Sequence, residues 1–161
     1  MKKLLINPVV LSVLLLILMS FSHHMAKEPL RIKLVPFQKG TELWTEMTIR
    51  NQSAQPIYLN KIDIGQSNRL LNNLFVIKQQ QEVNYTGVLV KRRAPTADDF
   101  VLLKPGESVQ STIRLDESYA FLPGKHRYSI QYRHYHGSPN DQTLLQEVKS
   151  GIYTFSYTAG K

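Results

Sequence analysis

Leu30 to Arg50 reads LRIKLVPFQKGTELWTEMTIR, and this stretch decides the fold class. Leu30, Ile32 and Leu34 occupy alternate positions, so in an extended chain they share one face. Leu43, Thr45, Met47 and Ile49 repeat the two-residue period, with Trp44, Glu46, Thr48 and Arg50 opposite. The pattern predicts two half-buried β-strands, the first ending at Pro36, where a backbone donor is lost.

The same period recurs along the chain. Asn51-Gln52-Ser53 supplies turn chemistry, and Pro56 precedes a third strand expected over Ile57 to Ile62. Leu74 to Lys78 is a short apolar run suited to a strand covered on both faces. The polar residues Gln79 to Glu82 would turn it into another at Val83 to Tyr85, and Val88 to Val90 reads as a further apolar strand. Thr96 precedes Asp99 by three residues, a capping-box spacing that predicts a single helical turn after Pro95. Lys104-Pro105-Gly106-Glu107 fits a type II turn, with Pro105 setting the first central dihedral and Gly106 the positive one. Val109, Ser111, Ile113 and Leu115 then alternate. Asp116 to Phe121 reads as an irregular or helical connection ended by Pro123-Gly124. Tyr128, Ile130 and Tyr132 alternate next, His134 to Gln142 reads as a polar hairpin loop, and Tyr153, Phe155 and Tyr157 share a face of the closing strand.

Seven to eight short strands without a long helix imply an all-β, immunoglobulin-like antiparallel β-sandwich. Tyr128 follows an inter-strand connection and stands where such a sandwich places a tyrosine corner, although a plain core aromatic would fit equally.

The N terminus reads as an address. Lys2 and Lys3 precede an apolar run from Leu4 to Met19, followed by small or polar residues at Ser20, Ser22 and Ala26. This is the layout of a signal peptide over residues 1–22, with cleavage after Ser22 or as late as Ala26; an uncleaved anchor is the alternative. Residues 23–161 then suit one domain, large enough for a core without disulfides, of which the cysteine-free chain has none. The expected location is periplasmic or extracellular, with no stable membrane insertion after cleavage. The formal charge is +8, and loss of Lys2 and Lys3 lowers it by two. That excess favours acidic partners in general. An exported protein is not expected to meet nucleic acid.

Several motifs, in order, carry a resemblance. They are Tyr85-Thr86-Gly87, Val90-Lys91-Arg92, Ala94-Pro95-Thr96, Asp99-Phe100, Leu103-Lys104-Pro105-Gly106-Glu107-Ser108 and Pro123-Gly124. Weaker likeness extends back through Leu74-Phe75-Val76 and Ile49-Arg50-Asn51. Together they resemble the non-catalytic N-terminal domain of the deuterolysin-like, peptidyl-Lys metalloendopeptidase family. The resemblance implies a β-sandwich that in the family precedes a zinc domain with a helical HExxH motif. None of His23, His24, His126, His134 or His136 has that spacing, so the family's catalytic zinc site is not carried over.

Catalysis is not expected on other grounds either. Ser108, Ser111, Ser118 and Ser129 lie in no Gly-x-Ser-x-Gly elbow, and the adjacent carboxylates of Asp98-Asp99 and Asp116-Glu117 diverge. The chain is read as a non-enzyme without a cofactor. Lys91, Arg92 and Arg93 form a cationic run that is either a solvated loop or a partner contact, with Tyr85 and Phe100 either its aromatic support or core side chains. Relatives that cut beside lysine imply an acidic pocket, which such a run could occupy. His134-x-His136 would point both imidazoles one way on a strand, with His126 or Asp141 as further ligands, or they are surface histidines. Cleavage after Ser22 would expose His23, whose amine and ring can chelate copper.

The expectation is therefore an exported, non-catalytic protein-binding domain that inhibits a related zinc metallopeptidase or helps it fold. A generic envelope or extracellular interaction module and, less favoured, a metal or small-ligand carrier are the alternatives.

Overall fold

A computed structural model describes residues 28–66, 69–91, 93–139 and 145–160. The stretch expected to be a signal peptide lies outside the described residues, as do His23, His24, Arg92 and Asp141.

Leu30–Lys39 (β1) and Glu42–Asn51 (β2) form an antiparallel hairpin, and β2 pairs on its other side with Ser108–Arg114 (β6). Leu30, Ile32, Leu34, Leu43, Thr45, Met47 and Ile49 are all buried, as alternation requires. β1 continues past Pro36 to Lys39 because it is a sheet edge, where the missing N–H disturbs no ladder. The second sheet is built on Gly124–His136 (β7). Phe75–Lys78 (β4) flanks it on one side; Gln146–Lys149 (β8) and Tyr153–Ala159 (β9) pair with successive parts of it. Ile57–Asn60 (β3) and Phe100–Leu103 (β5) form a separate two-stranded piece.

Strands β1-β2-β6 and β4-β7-β9 reproduce the A-B-E and C-F-G sheets of an immunoglobulin-like sandwich. β8 and β9 are one strand interrupted by a bulge. Arg133 pairs with Lys149 and Ile130 with Tyr153, so Ser150, Gly151 and Ile152 face only Gln131 and Tyr132. Ser150 repairs the ladder: its N–H donates to Tyr132 O at 2.9 Å, and its hydroxyl accepts the Tyr132 N–H at 3.0 Å. With β8–β9 counted as one strand, the described residues hold eight.

The inward rows of both sheets form one core, including Leu34, Met47, Ile113, Phe75, Ile77, Ile130 and Tyr132. Two tyrosine hydroxyls stitch the sheets together, Tyr153 donating to Ile32 O (3.1 Å) and Tyr157 to Thr41 O (2.8 Å). Tyr128 is buried against Phe121 and Phe155, and its hydroxyl accepts the Leu122 N–H at 3.2 Å, the backward tie of a tyrosine corner. Gly106 has φ of 80°, as the type II turn after Pro105 requires. A 3-10 turn over Ala97–Asp99 follows Thr96, whose N–H and hydroxyl both bond the Asp99 carboxylate.

Besides the end of β1, four local expectations give way. The third strand ends at Asn60, because Asn60 Oδ1 accepts the Ile62 N–H and the chain turns there. Val83 to Tyr85 makes no strand, only the isolated bridge Tyr85–Tyr119. Val88 to Val90 is irregular and exposed. Lastly, β7 extends through His136, so the histidine pair belongs to a strand and the loop starts at Gly137.

Candidate protein-binding loop

The segment from Gly87 to Pro95 leaves the sandwich without joining a sheet. Its backbone is nonetheless held at several points. Thr86 N–H donates to Ser118 O (2.9 Å), the Tyr85 hydroxyl donates to Val88 O (2.8 Å), and Val90 N–H reaches Leu71 O (3.3 Å). Tyr85 packs edge-on to buried Tyr119, with ring centroids 5.2 Å apart. Gly87 is needed for this packing, since a Cβ there would lie 2.6 Å from the Tyr85 hydroxyl oxygen. Burial also pushes the Tyr85 phenol above its ordinary pKa.

This anchored loop presents apolar side chains to water. Val88, Leu89 and Val90 are 46%, 70% and 43% exposed. Single exposed apolar residues are ordinary, but three in succession on a pinned backbone form a contiguous exposed apolar patch. Lys91 and Arg93 follow directly and are exposed. Arg93 forms a two-point ion pair with Asp99 (2.9 and 3.2 Å), which sets its guanidinium beside the 3-10 turn. The Thr96 amide and hydroxyl, with Arg93, hold the Asp99 carboxyl below its usual pKa, so it remains an anion. Asn60, Ile62, Val90, Arg93, Pro95 and Asp99 line a shallow cleft of about 200 Å³. Phe100 lies on β5, half-buried and edge-on to Tyr58 at 6.4 Å. The loop therefore gathers Lys91, Arg93 and Tyr85 around the exposed valines and leucine. Phe100 sits next to the turn that holds Arg93.

The histidines separate. His126 stands eight residues from His134 along β7, roughly 26 Å in an extended strand, and its ring bonds Pro123 O at 2.9 Å. His134 and His136 meet Asp63 and Tyr132 at the other end. His134 Nε2 lies 3.2 Å from Asp63 Oδ1, and His136 Nε2 lies 2.6 Å from the Tyr132 hydroxyl, itself 2.9 Å from Asp63 O. A neutral imidazole protonated on Nε2 satisfies both short bonds: Nε2–H donates to the Tyr132 oxygen, which donates to Asp63 O. His136 Nδ1 is then a buried atom without a partner. Burial holds His136 down to about 4. Among the described residues, no three His, Cys, Asp or Glu side chains converge as metal ligands would.

Asp63 and the exposed Val88–Val90 patch escape sequence reasoning. Asp63 lies past the third strand with no periodic signal, and an apolar triplet reads as a strand until its partner strand is seen to be missing.

No protein-family profile matches the chain. It is 33% identical over 88 residues to an extracellular protease of Aeromonas hydrophila; the match covers 53% of this chain and 24% of that protein. The similarity is thus to a part of a much longer protease. Among the described residues, no helix is long and apolar enough to cross a membrane.

Proposed function

We propose that this chain is an exported, non-catalytic protein-binding domain whose partner is a secreted protease. The partner belongs to the zinc metallopeptidases whose N-terminal domain the motifs resemble. Binding occurs through the Gly87–Pro95 loop and blocks the protease or supports its folding. The observation that carries this reading is the pinned backbone that holds Val88, Leu89 and Val90 in water beside Lys91 and Arg93. A rigid loop loses little conformational freedom on binding, and apolar anchors flanked by cations suit an apolar cleft rimmed by carboxylates. Similarity to a segment of an extracellular protease supports a role beside such an enzyme, and supports export.

The test is titration of an HExxH zinc endopeptidase of that family with the purified protein, following peptide hydrolysis. One-to-one inhibition is expected. Lys91→Glu with Arg93→Glu should weaken it about tenfold or more while leaving the circular dichroism spectrum unchanged. Undiminished activity at saturating protein, with no acceleration of the protease's refolding, refutes the reading and leaves a general interaction module in its place.

A further inference from the structure

The outer face of the β4-β7-β9 sheet has a composition the loop does not explain. On β7 the side chains of Lys125, Arg127, Ser129, Gln131 and Arg133 alternate with the buried row and point outward. Their partners on β9 are Thr158 opposite Lys125, Ser156 opposite Arg127 and Thr154 opposite Ser129. On the other side Lys78 is opposite Ser129, and beyond the bulge Lys149 is opposite Arg133. Every outward residue of β7 from Lys125 to Arg133, and of β9 from Thr154 to Thr158, is polar and none is acidic. Carboxylates stand only at the margins, with Glu147 bonded to Arg133 (2.7 Å) and Glu82 beside Lys78. Neither Lys125 nor Arg127 forms an ion pair among the described residues.

Lys125 and Arg127 neighbour each other along one sheet face with hydroxyl residues opposite them, so this part of the face is a local excess of positive charge that gains when an anion lies across it. The bulge at Ser150–Ile152 and the Gln131 bond to Ser150 O (2.8 Å) fix the upper end of the face. Cations or hydroxyls fill the outward positions of β7 and β9, spaced about 6.8 Å along a strand and about 4.8 Å between strands, except at Gln131, which faces the half-buried Val76 of β4. A regular grid suits a ligand that itself repeats.

We infer that this face binds an acidic polysaccharide, its cations meeting sulfate or carboxylate groups and its hydroxyl rows meeting sugar hydroxyls. Other polyanions fit less well. Duplex nucleic acid is read by an element that enters a groove, and this sheet has none to offer. Single strands call for aromatic platforms among the cations, whereas Lys125, Arg127 and their β9 partners have none outward. A lipid surface calls for protruding apolar side chains throughout, and Ile152 and Tyr135 stand only at the upper end. The inference does not rest on the protease reading, since the loop takes no part in it.

The test compares two variants with the same change in net charge. Lys125→Glu with Arg127→Glu alters the proposed face; Arg31→Glu with Lys33→Glu alters outward positions of β1 on the opposite sheet. The probe is heparin, with binding measured by calorimetry and by the salt needed for column elution. The native protein should bind, the first variant should lose about tenfold in affinity and elute at lower salt, and the second should match the native protein within about twofold. Equal losses in both variants would reduce the effect to net charge and overturn the inference. So would absence of heparin binding, or equal or tighter binding of a DNA duplex or of phosphatidylglycerol vesicles.

Discussion

β2 and the loop from Gly87 to Lys91 handle apolar residues in opposite ways. In β2 every second side chain, from Leu43 to Ile49, is buried, and the strand has a hydrogen-bonded neighbour on each side. In the loop, Val88, Leu89 and Val90 all stand in water. Composition is similar in the two; the difference is the partner. A strand's apolar face is covered because the opposing sheet must cover its own, while the loop has no facing layer in this chain. The lesson is that an apolar residue left in water by an otherwise well-ordered backbone is the feature to follow.

The comparison can be broken from the core side first. Ile130→Ala removes a fully buried side chain from β7 and should cost about 2–5 kcal/mol, read as a shift of the urea midpoint. A loss below about 1 kcal/mol would mean that the inward row is not the packed core.

Acid supplies the next effect. His136 is held neutral in the folded protein, down to about 4, whereas the unfolded chain takes up its proton near 6.5. Between these values the unfolded state binds more protons, so stability is full above about pH 6.5 and falls as the pH drops towards 4. The loss from this group is about 3 kcal/mol on the acid side. Urea unfolding across that range should show it, and His136→Gln should flatten the slope. An unchanged slope in the variant would place the acid sensitivity elsewhere.

Tyr132→Phe is smaller. It leaves Asp63 O and His136 Nε2 without their shared hydroxyl and should cost about 1–3 kcal/mol in the same assay. Least of all is Leu89→Ser, which should move stability by no more than about 0.5 kcal/mol, because the side chain is 70% exposed. Its effect should fall on binding alone, and this contrast with Ile130 is what the two regions predict.

Much of this was legible in the sequence. Alternation placed Leu30 to Ile49 and Tyr128 to Tyr132 on inward rows. Pro105-Gly106 and Thr96–Asp99 marked their turns, since each depends on residues within four positions. β8 was missed because Gln146–Lys149 offers one apolar residue, Val148, among polar ones. The Asp63–Tyr132–His134–His136 cluster joins residues 69 positions apart and leaves no local trace. In the Gly87–Pro95 loop the cations are apparent from sequence, whereas its exposed apolar triplet has the pattern of a strand and only the sheet topology tells the two apart.

The central claim is that Val88 to Lys91, with Arg93, forms a preorganised contact for a protease. Its most direct measurement is the inhibition titration of an HExxH endopeptidase by native protein and by Leu89→Ser. The account predicts stoichiometric inhibition by the first and a loss of about tenfold in the second at unchanged stability. Equal potency of the two proteins would contradict it.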